Sequence, residues 1–207
     1  MANTIANQAD IREAKLRGYK RELILDAAQR VFAERGLEGA SIRAIAEAAG
    51  CTTGAIYPWY SGKEEIYAGV LSKSLDELRA AVEREASLAR NARDRLRGAV
   101  RAFYEYYRAR ADQLALGLYL FQGLKPRGLG AESDATLNGI LKRALEPMRT
   151  AMVELGFSPR GRADAELAAL FAFLIGLLMI EHTGRIKLFA VNAPGLLENY
   201  LKALAAR

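Results

Sequence analysis

The chain has few of the residues that build disulfides, metal sites and hydrolytic active sites. Its 207 residues include one cysteine, Cys51, and one histidine, His182. A single cysteine excludes a disulfide within the chain and a cysteine-based zinc site. The sequence also lacks a phosphate-binding loop and a paired-carboxylate motif. We therefore expect a protein that is not an enzyme and that holds neither a metal nor a cofactor.

Long hydrophobic runs are also missing. The longest strongly apolar run, LAALFAFLIGLLMI from Leu167 to Ile180, is shorter than the roughly 20 residues that span a bilayer. The N-terminus lacks an apolar, signal-like run. A hydrophobic content of 51% indicates a globular chain, and a net charge of +6 suits a polyanionic partner without proving one. We expect a soluble cytoplasmic protein with no membrane association.

Period-two alternation is absent, whereas apolar residues recur at helical spacing throughout the chain. This pattern predicts an all-α fold of about nine helices, with an N-terminal three-helix domain and a larger helical domain. The predicted division is a flexible basic arm over 1–17, a helix-turn-helix domain over 18–63, a linking helix over 64–84 and an effector-binding and dimerisation domain over 85–207.

The stretch SIRAIAEAAGCTTGAIYPWYSGK, residues 41–63, has the signals of a helix-turn-helix. Ser41 is a suitable N-cap for a first helix, and Gly50 suits its end. Thr52 is expected to cap a second, short helix that stops at Pro58. The second helix of such a motif enters the major groove of DNA.

Several residues of this short helix suit a DNA contact. Thr52 and Thr53 begin it, and threonine hydroxyls bond phosphates or base edges. Thr53 is the better candidate for a base, since Thr52 also serves as a cap. Gly54 lets the helix approach the groove closely. After it, Ser61 and Glu64 form a capping box that predicts the start of the linking helix.

The ordered motifs from Leu23 to Leu71 identify a resemblance. These are A-x-x-x-F-A-E-x-G at the end of the first helix, S-x-x-x-I-A-x-x-A-G at the turn, and G-A-x-Y with an S-K-E-like element around the short helix. The chain resembles the N-terminal domain of the TetR family of bacterial transcription regulators. The resemblance implies a DNA-binding regulator.

The resemblance also implies roles for residues around the short helix. Tyr57, Trp59 and Lys63 match positions that contact phosphates in the family, and Arg43 matches a groove or phosphate contact. The alternatives are aromatic packing for Tyr57 and Trp59, and solvated charge for Arg43 and Lys63. Tyr60 is expected to be a hydrophobic plug between helices.

A short helix reaches few base edges, so specific binding calls for a dimer that reads two half-sites of a palindromic operator. Apolar helices near 162–183 and 195–206 suit a two-fold interface. Packing within one subunit is the alternative.

Apolar walls with a few polar groups are typical of small-molecule sites. Eight residues of the second domain are candidates for such a pocket: Phe103, Tyr107, Leu118, Tyr119, Gln122, Phe171, Leu174 and Met179. A filled core is the alternative for each. We expect a homodimeric repressor that a small apolar or amphipathic ligand releases from its operator; the alternative is control by a protein partner.

Overall fold

The computed structural model describes residues 2–118, 129–157 and 162–205. These ranges consist of helices and short connections and contain no β-strand, which confirms the predicted all-α class. The α-helices are α1 (Ala2–Gly39), α2 (Ile42–Ala48), α3 (Thr53–Ile56), α4 (Lys63–Ser87), α5 (Ala92–Arg108), α6 (Ala111–Leu118), α7 (Ala131–Glu154), α8 (Arg162–His182) and α9 (Ala193–Ala205), with a short 3₁₀ helix at Arg185–Phe189.

The chain divides into two compact units. The first contains residues 1–73 and 115–135, and the second contains residues 74–114 and 136–207. The division falls inside α4, the helix expected to link the two domains. Each unit is described separately below.

Helix α1 includes the segment that the sequence assigned to a flexible arm, since it begins at Ala2. Good helix formers dominate this segment, and Arg17 pairs with Glu13 one turn earlier, a spacing that supports an exposed helix. Gly36 interrupts α1 with φ 65° and ψ 177°. Only glycine adopts such a conformation without strain, so the sequence correctly marked this residue as the end of the regular helix.

The core of the first unit joins α1 to α2, α3 and α4. Ile45, Ile56 and Ile66 are fully buried. Phe32 of α1 meets Tyr67 of α4 edge to face, with ring centroids 4.9 Å apart. These contacts between helices far apart in sequence hold the short helix α3 in place.

Two of the predicted caps differ from the structure. Ser41 accepts a bond from the amide of Ala44 at 3.2 Å, as expected. Thr52 has an extended backbone but makes no capping bond. Glu65, and not Glu64, accepts bonds from the amide and the hydroxyl of Ser61, at 2.7 and 2.8 Å. The reason is that α4 begins at Lys63, one residue later than the capping box requires.

The second unit packs α5 against α8. All four aromatic residues of α5 are buried, which are Phe103, Tyr104, Tyr106 and Tyr107. Leu170, Leu174 and Leu178 of α8 are fully buried as well. Helix α5 therefore uses more than one of its faces for packing.

Candidate DNA-binding site

Helix α3 is anchored by one side chain and exposes most of the others. Ile56 is 0% exposed and Tyr57, its neighbour, is 58% exposed. Thr52 and Gly54 are also exposed, and Thr53 is half-buried. The helix thus presents a polar N-terminal surface to solvent while a single isoleucine holds it to the core.

Gly54 lies in this exposed surface and has ordinary space around it. A Cβ at this position would meet Thr52 Oγ1 at 3.8 Å, which is normal van der Waals contact. The packing of the free protein therefore does not require glycine here. A close approach to a partner remains the reason for it that the sequence predicted.

Arg43 and Trp59 flank α3 in the sequence. Arg43 is exposed on the first turn of α2, and Trp59 is half-buried in the connection between α3 and α4. The guanidinium of Arg43 is therefore accessible, and the indole of Trp59 is partly accessible. Their contacts with DNA stay predictions.

Tyr60 is 3% exposed, in agreement with a packing role. Its hydroxyl accepts a bond from Arg21 Nε at 3.1 Å. Arg21 lies 39 residues earlier, so sequence reasoning missed it as a positioning residue, and no local motif marks the pair. This bond ties α1 to the segment that follows α3.

Lys63 makes contacts that the sequence did not predict. Its Nζ donates to the carbonyl oxygen of Leu37 at 2.9 Å, and the carbonyl oxygens of Glu38 and Ala40 lie at 3.4 Å. All three acceptors belong to the chain between Gly36 and α2. The side chain therefore points toward the protein in this structure.

Four of the predicted ligand residues form part of the aromatic core of the second unit. Phe103 lies 5.2 Å from Tyr107 and 6.0 Å from Phe171, measured between ring centroids. Phe103 and Leu174 are fully buried. The structure therefore brings four of the eight predicted residues into one region between α5 and α8.

The other four do not join them in the described structure. Leu118 belongs to the first unit. Met179 is 48% exposed and lies on the outward side of α8. Tyr119 and Gln122 lie outside the described residues. Helical spacing alone did not distinguish the buried side of α8 from the exposed one, because nearly every residue of this helix is apolar.

Polar groups join α5 to the end of α8. Tyr104 donates to Glu181 Oε2 at 2.7 Å, and His182 Nε2 lies 3.0 Å from the carbonyl oxygen of Tyr107. Burial and the bond to Glu181 raise the pKa of Tyr104 above its ordinary value. Burial also raises the pKa of Tyr107. Glu181 and His182 thus pair with groups of α5.

A second polar cluster lies where α4, α5 and α6 meet within this unit. The buried hydroxyl of Tyr106 donates to the carbonyl oxygen of Ser74 at 2.9 Å, and Ser74 Oγ donates to Gln113 Oε1 at 2.9 Å. Burial raises the pKa of Tyr106 to about 12. The cluster satisfies polar groups that would otherwise be costly to bury.

Two clefts open at the surface of the second unit. One of about 840 Å³ runs between α4 and α5, and its lining includes Arg84, Arg101 and Glu105. The other, of about 450 Å³, is lined by residues of α5, Leu155 and residues of α9. Neither lining includes a residue of the predicted ligand set.

One side of α8 is apolar and exposed. Its exposed residues follow a helical stripe and are mostly small: Ala165, Ala168, Ala169, Ala172, Gly176 and Met179. The helix from Ala163 to His182 is long and apolar enough to cross a membrane, with a mean hydropathy of 2.1. In this structure 28% of its apolar window is buried. The apolar run counted from Leu167 is shorter than a bilayer span, which is why the sequence predicted no membrane helix here.

In the part of the chain that the structure describes, no group of three or more His, Cys, Asp or Glu side chains is placed to hold a metal ion. Cys51 is half-buried in the turn between α2 and α3.

Residues 24–70 match the profile of the bacterial regulatory proteins of the tetR family. Over these residues the chain carries the N-terminal domain of the tetR family. The match covers the segment from α1 to the first turns of α4, which contains Ile56, Tyr57 and the contacts of Lys63. The surface of α3 described above therefore lies within the matched segment.

Curated relatives of this chain are transcription regulators. It is 36% identical over 90 residues to the HTH-type transcriptional activator FasR of Mycolicibacterium smegmatis, covering 44% of this chain and 41% of FasR. It is 41% identical over 59 residues to the HTH-type transcriptional repressor KstR2 of Rhodococcus jostii, covering 28% and 29% of the two chains. The matches span less than half the length of these relatives.

Solved structures share the fold over most of the chain. FadR from Bacillus subtilis in complex with stearoyl-CoA superposes with a TM-score of 0.70 and 19% identity, covering 89% of this chain and 97% of FadR. The TetR-family regulator PfmR from Thermus thermophilus gives 0.67 and 22%, covering 88% and 93%. The fold of the second unit is thus shared even where its sequence is not.

Proposed function

We propose that the protein is a homodimeric transcription regulator that reads a palindromic operator with α3 of each subunit. The observation that carries this proposal is the exposure pattern of α3, which buries Ile56 completely and leaves Tyr57 58% exposed. A helix held by one apolar side chain, with hydroxyls and an aromatic ring facing solvent, suits insertion into a DNA groove. The protein acts in the bacterial cytoplasm, where its DNA is.

The proposed contacts divide into two kinds. Thr53 faces base edges, with Thr52 beside it, and Gly54 permits the close approach. Tyr57, Trp59 and Arg43 bind the phosphate backbone. Phosphate contacts set the register of the protein on the duplex, and base contacts provide sequence preference.

The apolar side of α8 supports the proposed dimer. Its exposed stripe of alanines with Gly176 lets a second helix approach closely, and Met179 extends the stripe toward the C-terminal end. Phe173 of α8 stacks on Tyr200 of α9 with ring centroids 4.1 Å apart, so the two helices are joined within the subunit. We propose that α8 and α9 pack against the same helices of a second copy.

A membrane is the other environment that would cover this stripe. Light scattering after size exclusion, in buffer without detergent, separates the two possibilities. We expect a soluble particle of twice the chain mass. Recovery only with detergent would contradict both the dimer and the absence of membrane association.

The second unit is proposed to bind a small amphipathic ligand near Phe103, Tyr107, Phe171 and Leu174. Three aromatic rings provide apolar walls, and the peptide carbonyl beside His182 and the hydroxyl of Tyr104 provide polar groups nearby. A ligand that binds the DNA-free conformation more tightly would release the operator. Stearoyl-CoA is the first compound to test, since FadR, which shares the fold, was solved with it.

The decisive experiment is gel retardation with the DNA that flanks the protein's own gene. We expect retardation at low salt that Thr53→Ala and Tyr57→Ala weaken at least tenfold. Absence of retardation with the wild-type protein would refute the proposal. Release by stearoyl-CoA supports a ligand-controlled repressor, whereas a complex that resists acyl-CoA compounds favours control by a protein partner.

A further inference from the structure

Lys63 is the first residue of α4, and its side chain points back to residues 37–40, the α1–α2 connection that follows the interruption of α1 at Gly36. Its Nζ donates to the carbonyl oxygen of Leu37 at 2.9 Å and lies 3.4 Å from those of Glu38 and Ala40. An ammonium group has three N–H donors and cannot accept a hydrogen bond. Three carbonyl oxygens therefore match its full donor capacity.

These carbonyl oxygens need a partner of this kind. The chain leaves regular helical geometry at Gly36, and carbonyls at the end of a helix lack intrahelical donors and carry partial negative charge. Leu37 and Ala40 are buried, which limits the access of water to this segment. A lysine ammonium neutralises the local charge and satisfies several acceptors at once.

The contact also joins the two ends of the helix-turn-helix. Ala40 immediately precedes Ser41, which caps α2, and Lys63 begins α4 after α3. Residues 41–62 therefore form a segment whose two ends are held together through one ammonium group. Releasing that group would free α2 and α3 to shift against α1 and α4.

We propose that Lys63 is a positioning residue, which clamps the α1–α2 connection to the start of α4 and so sets the orientation of α3, and that it does not bind a DNA phosphate. The proposal rests on the proposed DNA-binding function only for its binding measurements. A phosphate would have to displace bonds that already use the ammonium hydrogens.

Two substitutions separate the clamp from a phosphate contact. Lys63→Arg keeps the positive charge, but the planar guanidinium does not reproduce a compact three-donor group. Lys63→Gln removes the charge. Lys142, exposed on α7, provides the matched control Lys142→Arg. We expect both Lys63 variants to lower Tm by roughly 3 to 10 °C and the control to stay within about 2 °C.

Binding is measured at a temperature where circular dichroism shows all variants folded, with a duplex that the wild-type protein selects from a random pool. We expect both Lys63 variants to lose at least tenfold in affinity with no change in the salt dependence of binding. The emission of Trp59, the one tryptophan of the chain, should shift in both variants. A loss of global stability alone would change neither readout in the folded protein.

The opposite pattern would overturn the proposal. A phosphate contact predicts that Lys63→Gln reduces the salt slope by about one, that Lys63→Arg keeps the wild-type affinity, and that Tm is unchanged. Arg43→Gln, which removes a proposed phosphate contact, provides the reference for such a reduction in the salt slope. If the wild-type protein selects no DNA, the proposed function fails. The Tm and the Trp59 emission of the Lys63 variants then still test whether Lys63 holds the α1–α2 connection. If Lys63→Gln does not fold, Lys63→Arg carries the test.

Discussion

Helices α3 and α8 expose very different surfaces, and they differ in how well residue type predicts which side chains are exposed. In α3, four residues long, one isoleucine is buried, and the exposed positions of the helix and its two caps include Thr52, Gly54 and Tyr57. In α8 nearly every residue is apolar, so residue type does not separate its buried leucines from its exposed alanines. Residue type alone suggested the role of α3. For α8, burial in the tertiary structure is the informative quantity.

The largest expected effect comes from a charge on the exposed side of α8. A Cβ at Gly176 meets no atom within 4 Å, so Gly176→Arg fits the single subunit but places a charge in the proposed interface. We expect monomers in light scattering and at least a hundredfold loss of affinity for a palindromic duplex, because two half-sites are no longer bound together. The control Asn138→Arg, on the exposed side of α7, should remain dimeric. A dimeric Gly176→Arg variant would remove α8 from the interface.

Adjacent residues of the recognition segment should separate stability from binding. Ile56→Ala creates a cavity in the core and should cost about 2 to 5 kcal/mol of unfolding free energy. Tyr57→Ala removes an exposed ring and should change that free energy by less than about 0.5 kcal/mol while weakening DNA binding. Denaturant unfolding and gel retardation check the pair. Equal destabilisation by both changes would mean that Tyr57 packs in the core.

The second unit should lose stability at alkaline pH through its buried tyrosines. The pKa of Tyr106 is raised from 10.0 to about 12. Its neutral form is therefore favoured in the folded state, and this contribution is complete below pH 10 and lost as the pH rises toward 12. Denaturant unfolding over this range should show a decline in unfolding free energy. Tyr106→Phe should make the decline shallower, and an unchanged slope would exclude this tyrosine as its source.

The smallest expected effects compare the two N-caps of the helix-turn-helix. Ser41→Ala removes a capping bond of 3.2 Å and should cost about 1 kcal/mol. Thr52→Ala removes no capping bond and should change the unfolding free energy by less than about 0.5 kcal/mol, although it should weaken DNA binding. Thermal unfolding of the two variants side by side measures the difference. A larger loss for Thr52→Ala would indicate a stabilising contact of its hydroxyl.

Local signals predicted much of the first unit. Ser41, Gly36 and Gly50 mark helix boundaries by effects that involve only neighbouring residues, and the structure agrees at each. The capping box failed because the side chain that reaches Ser61 depends on where α4 begins, and a shift of one residue replaces Glu64 with Glu65. Short-range patterns therefore predict a boundary better than they predict the bonding partner at that boundary.

Contacts between distant residues could not be predicted in this way. Lys63 has the sequence position of a phosphate contact, yet its ammonium group meets carbonyls that lie 23 to 26 residues earlier. Met179 follows the same helical pattern as buried leucines but is exposed. Both outcomes depend on which elements come to lie beside these residues, and no spacing within a helix contains that information.

The sequence by itself determined the helical class and the position of the tetR-type helix-turn-helix domain, because helical periodicity, capping and glycine turns act within a few residues. Only the tertiary structure decided which side of α8 is covered, which aromatic residues meet in the second unit, and where the charge of Lys63 is used. Those features arise when helices distant in sequence bury their apolar surfaces together and satisfy the polar groups left between them.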